Sequence, residues 1–86
     1  MDPGLHVRQA INHLEKVLAY APYVAEHGRA AVALTPEDWG VVADALFHMD
    51  TPREVFPAAI TDFRMGADGS TIELDTADCV IAVGAG

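Results

Sequence analysis

The chain has 86 residues, 51% of them apolar, with thirteen Asp and Glu against five Lys and Arg, giving a formal charge of −8. That allows one small acidic domain, residues 1–86, and is too apolar for a disordered acidic tail. The charge argues against direct binding of nucleic acid or an anionic membrane, because phosphate contacts need clustered Lys and Arg.

Asp2-Pro3 reads as a helix start, Asp as N-cap and Pro in the first turn. Val7, Ile11, Leu14, Leu18, Ala21 and Ala25 then follow at alternating spacings of four and three, with Ala10, Val17 and Val24 widening the same face. A first helix over about 4–27 is expected, broken or kinked at Pro22, which cannot donate an amide to the Leu18 carbonyl. Gly28 is its expected C-cap. Residues 29–34 are ambiguous: alanine favours helix, whereas Val32 and Leu34 alternate as in a strand, and an extended segment is preferred.

Thr35-Pro36-Glu37-Asp38 is a second helix start, with a Thr N-cap, Pro at N1 and acids against the positive dipole end. A helix over 36–49 places Trp39, Val42, Ala43, Leu46 and Met49 on one face. Thr51-Pro52-Arg53-Glu54 repeats the capping chemistry, so a short helical turn is expected near 52–56, stopped by Pro57.

The last third is β-like, with strands predicted at about 59–66, 71–75 and 79–83 and fraying expected at Gly84-Ala85-Gly86. Phe63 and Met65 share one strand face, as do Ile72 and Leu74. Both pairs reach one core only if the loop between the strands has an even number of residues. A four-residue loop sets Phe63 against Leu74, Met65 against Ile72 and Arg64 against Glu73, an opposite-charge pair. A two-residue loop sets Asp62 against Glu73 instead, which is worse. The expected fold is α+β: two main helices followed by a small antiparallel meander, helices on one face of the sheet.

Catalytic and metal chemistry find little support. Cys79 is the single cysteine, so no intrachain disulfide forms, and its apolar surroundings suggest a small packed hydrophobe. His6, His13, His27 and His48 show no zinc spacing, and His6 with His13 is expected on a solvent-exposed helix face. Asp68-Gly69-Ser70 fails as a calcium loop because Ile72 and Cys79 fall where oxygen ligands are required. There is no phosphate-binding glycine pattern, and Ser70 lacks His and Asp partners at recognisable spacing. Asp62 and Asp75 can meet across the hairpin, yet so small a core leaves little room for a cleft. No metal, no cofactor and no enzymatic activity are expected.

Charge divides unevenly. Residues 1–36 carry three acids and three bases, whereas residues 37–86 carry ten acids and two bases, Arg53 and Arg64. The negative part is read either as a solubilising surface or as a field steering the chain to a basic partner. Glu37, Asp38, Asp44, Asp62, Asp68, Glu73 and Asp75 are the candidate partner-binding residues. Trp39, Phe47 and Phe56 would be anchors if the core leaves them free. The expectation is a non-enzymatic protein-binding module, an inhibitor or regulator occupying a basic surface of a partner protein, of which nucleic-acid-binding proteins are one class. In size and charge alone it is similar to small phage anti-defence inhibitors. Fifteen of the apolar residues are alanine, so the core is thin and self-association is a common remedy. The alternative is therefore a homodimeric accessory subunit with Val7, Ile11, Leu14 and Leu18 as its seam. Alanine and arginine usage suggests a bacterial or phage gene. With no long apolar run and no basic leader, the expected location is cytoplasmic, in the bacterial cytosol or a phage-infected cell.

Overall fold

The structure, a computed structural model, describes residues 3–86. Two helices cover one face of a four-stranded sheet whose first strand lies between them in the chain: α1 (Pro3–Val24), β1 (Arg29–Leu34), α2 (Pro36–Ala43), β2 (Ile60–Met65), β3 (Thr71–Thr76) and β4 (Val80–Ala85). The α+β class follows the sequence expectation, but the sheet is mixed and no simple meander. Its order is β1-β4-β3-β2, with β1 parallel to β4 and the remaining pairs antiparallel. Residues 29–34 are the strand that makes the difference.

α1 buries Ala10, Leu14, Val17 and Ala21, leaving Val7, Ile11 and Leu18 half-buried on its flanks. The inward stripe is therefore rotated from the expected 7/11/14/18 line onto Ala10, Leu14, Val17 and Ala21. The helix passes through Pro22 and ends at Val24, short of residue 27. Pro22 sits in the last turn, so its missing amide leaves the Leu18 carbonyl without its helical donor only two residues before the helix ends. Gly28 does not cap the helix. His27 at φ 54° and Gly28 at φ 77° form the centre of a tight turn closed by two backbone hydrogen bonds between Glu26 and Arg29. Two left-handed residues define the type I′ turn, which matches the twist of adjoining extended segments. The Asp2 N-cap lies outside the described residues.

Thr35 caps α2 as its sequence predicts, its hydroxyl accepting the Asp38 amide at 3.2 Å. The helix continues into a π-helical turn over Asp44–His48, and a 3₁₀ turn spans Arg53–Val55. Trp39 lies half-buried and donates its indole N–H to the Val83 carbonyl at 2.9 Å. Phe56 is buried, and Phe47 and Phe56 meet Phe63 edge-to-face at 5.6 and 6.3 Å. The three candidate aromatic anchors thus belong to the core and its margin.

The β2–β3 register is the one that parity and charge select: Phe63 opposite Leu74, Met65 opposite Ile72, Arg64 opposite Glu73. β2 also carries a bulge between Ile60 and Asp62, which the regular strand expected over 59–66 lacks. Ile60 and Phe63 are three residues apart, so a regular strand would send them to opposite faces; the extra residue turns both inward. β4 runs to Ala85 instead of fraying, because β1 lies beside it and the Leu34 carbonyl accepts the Gly86 amide.

Candidate functional site

Helices cover one face of the sheet, and side-chain alternation fixes what the other presents. Ile72, Leu74, Ile81 and Val83 point into the core, so Thr71, Glu73, Asp75, Val80, Ala82 and Gly84 point out. By the same parity Arg29, Ala31 and Ala33 on β1, and Asp62 and Arg64 on β2, join them.

Register sorts this open face into rows. One runs Asp62, Asp75, Val80, Arg29; the next runs Arg64, Glu73, Ala82, Ala31; the last holds Thr71, Gly84 and Ala33. The β1–β4 half is flat and apolar, with nothing larger than valine beyond Arg29. The β2–β3 half is charged. This two-sector face is the site candidate.

Its charged sector is tightly paired. The Arg64 guanidinium lies 2.9 Å from Glu73 and 3.0 Å from Asp75, while Arg29 lies 3.9 Å from Glu73. The hydrogen bond to Asp75, reinforced by the charge of Glu73, holds Arg64 above its ordinary pKa. Asp75 Oδ1 is shielded from solvent and has no hydrogen-bond partner. Asp62 faces Asp75 directly across the strands, as the sequence allows, and its Oδ1 accepts the Phe63 amide at 2.8 Å. Arg64 is the cation that makes this like-charge neighbourhood tolerable.

The seven candidate acids fall on three surfaces. Asp62, Glu73 and Asp75 share the open face. Glu37, Asp38 and Asp44 lie along the second helix and its extension, where His13 reaches Asp38 at 3.4 Å and His6 reaches Asp44 at 3.7 Å. Asp68 is at the hairpin tip, its carboxylate accepting the Ser70 amide at 3.0 Å, which lowers its pKa. His6 and His13 are thus partly covered residues of the helix–helix seam, not members of an outer face. Of the candidate dimer seam, Leu14 is 0% exposed against the sheet. Only Val7, Ile11 and Leu18 keep partial exposure.

Ala31, Ala33, Val80, Ala82 and Gly84 were not singled out in sequence, because outward apolar positions on β1 and β4 have meaning only once those strands are neighbours. Tyr20 and Tyr23 on α1 are also exposed, the latter at 89%. Cys79 is half-buried in the β3–β4 turn, where Thr76 Oγ1 accepts its amide at 3.1 Å. Among the described residues no group of three His, Cys, Asp or Glu side chains is placed to hold a metal ion. None of their helices is long and apolar enough to cross a membrane. No family model, curated protein or solved structure matches the chain.

Proposed function

We propose that the protein is a non-enzymatic protein-binding module that engages a basic partner through the open face of its sheet, and that it acts as an inhibitor or regulator in the cytoplasm of a bacterium or phage-infected cell. The observation that carries this reading is the two-sector face: a flat apolar half formed by Ala31, Ala33, Val80, Ala82 and Gly84 beside the carboxylates of Asp62, Glu73 and Asp75. An exposed apolar patch bordered by polar groups is the usual anatomy of a recognition surface.

Charge acts here at two ranges. The −8 of the whole chain supplies the long-range field that speeds encounter with a basic surface. At contact the face is less acidic than the sequence suggests, since Arg64 and Arg29 sit among its acids. Glu37 and Asp68 therefore serve steering, whereas Asp62, Glu73 and Asp75 supply contacts at the border of the apolar half. The partner we favour is a nucleic-acid-binding protein, whose phosphate-binding surface carries the required clustered cations.

The test is capture of partners from native lysate with the tagged chain, at low and high salt, beside an Ala82→Arg variant. Ala82 points out at the middle of the face, so the long cation obstructs docking without touching the core. Loss of the captured partner in the variant, with association slowed by salt, supports the proposal. A partner retained by Ala82→Arg at an unchanged rate in high salt refutes it. Self-association is a second reading, and the β1 edge favours it.

A further inference from the structure

We infer that two copies of this chain join through the free edge of β1, pairing it antiparallel with itself to make one continuous eight-stranded sheet. The backbone at that edge identifies the occupant. The Gly28 and Leu34 carbonyls accept amides from Val80 and Gly86 on the β4 side. Even-numbered positions of this segment therefore point their N–H and C=O toward β4, and odd-numbered positions point away. Arg29 confirms the parity, since its outward groups bond Glu26. Ala31 and Ala33 remain, both exposed, with their amides and carbonyls directed off the edge of the sheet. Such a row recruits another strand.

A second copy fits it in one symmetric register. With Val32 opposite its own copy, Ala31 faces Ala33 of the other chain and the reverse, so the outward groups of both alanines are paired and the ladder ends where Arg29, already bonded to Glu26, meets Thr35 of the other copy. Moving Ala31 opposite itself sets Ala33 against Arg29, whose groups are already bonded to Glu26. Moving Ala33 opposite itself sets Ala31 against Thr35, the cap of α2. The register centred on Val32 also brings two half-buried valines together on the helix side.

The other edge is guarded. β2 carries a bulge at Thr61 and the charged side chains Asp62 and Arg64, devices that discourage edge pairing. β1 has no proline, no bulge and one charge, at its first residue. Growth therefore stops at two copies, closed by a two-fold axis. Pairing occurs edge to edge, so both open faces stay uncovered and the inference stands apart from the proposed partner.

Light scattering coupled to size exclusion, over a concentration series, tests it. The expected mass is twice the 9.1 kDa of the chain, falling to the single-chain mass in Ala31→Pro, which removes an outward amide on an edge strand. Far-UV circular dichroism checks that this variant stays folded, and Ala33→Lys gives a second route to the same loss. On a Cys79→Ser background, oxidised Val32→Cys should cross-link, because opposed non-hydrogen-bonded residues have Cα atoms about 4.5 Å apart, within disulfide reach. Ala31→Cys should not. A single-chain mass at every concentration, a dimer that survives in folded Ala31→Pro, or cross-linking of Ala31→Cys ahead of Val32→Cys overturns the inference. Ala82→Arg should leave the mass unchanged while abolishing partner capture, so either idea can fail alone.

Discussion

Leu14→Ala separates a core helix from a dimer seam. Leu14 has no exposed surface and sits between Ala10 and Val17 on the stripe facing the sheet. Truncating a fully buried leucine removes its transfer free energy and leaves a cavity, together about 2.7–5 kcal/mol. For an 86-residue domain the whole stability is roughly 4–13 kcal/mol, so even the low end is a large share. About 3 kcal/mol corresponds to a fall in Tm of roughly 12–24 °C at this size. Urea unfolding followed by circular dichroism should show a lower midpoint with an unchanged slope. The difference from wild type should be the same at low and high protein concentration. Val7→Ala, on the half-buried flank of the same helix, should cost about 1 kcal/mol or less. A Leu14→Ala loss below about 1 kcal/mol, or one that vanishes as concentration rises, would place Leu14 at a seam between chains and refute the packing argument.

Trp39→Phe keeps an aromatic ring but loses the indole N–H to Val83; the carbonyl retains the Ile72 amide across the sheet, so the expected cost is about 1–2 kcal/mol, read by circular dichroism because this is the single tryptophan. Arg64→Ala leaves Asp62, Glu73 and Asp75 without their shared cation, so its Tm should rise on adding salt while that of wild type does not; a parallel response in both would remove Arg64 from this role. His27→Asn places the residue type that best tolerates the left-handed region at φ 54° in a type I′ turn, and urea unfolding should show a gain of a few tenths to about 1 kcal/mol. The Ser70 amide lowers the pKa of Asp68, so the stabilisation is complete above the ordinary carboxylate range and is lost as pH falls through that range to the lowered folded value. The stability gap between wild type and Asp68→Ala should therefore close in strong acid, and an identical gap at neutral pH and in strong acid would refute the turn's electrostatic role.

What sequence reasoning reached depended on how local the physics was. Thr35 and Pro36 announce a helix start through groups within one turn of each other, and the structure places the cap there. The hairpin register follows from parity over a dozen residues plus the Arg64–Glu73 charge pair. The β1–β4 pairing joins Arg29 to Val80 and Leu34 to Ala85 across most of the chain, and three alanines in β1 carry no signal that chooses a parallel neighbour. Without that pairing, the C-terminal residues read as fraying and the outward alanines read as nothing. The bulge left one trace in the sequence: Ile60 and Phe63, both apolar at odd separation, cannot share a face of a regular strand. The acids were legible by number but not by arrangement. Their division among open face, helix and hairpin tip, and the pairing of Asp38 and Asp44 with His13 and His6, depend on how α2 lies against α1.

The surplus charge also decides which contacts between copies are admitted. In the edge-paired dimer, β3 and its counterpart are separated by β4 and β1 of each chain, five strand spacings or about 24 Å at about 4.8 Å each. That is about three Debye lengths at physiological salt, so repulsion between the two sets of Glu73 and Asp75 hardly opposes the pairing. Stacking two open faces is different. Sheets packed face to face lie about 10 Å apart, close to one Debye length, with the carboxylates of both chains inside the gap. The same acids that repel a copy from the face attract a basic partner to it. An apolar sheet face left open without a helix is ordinarily an aggregation hazard. Here the carboxylates beside it restrict what can cover it, while the β1 edge, charged only at Arg29, stays free for self-pairing.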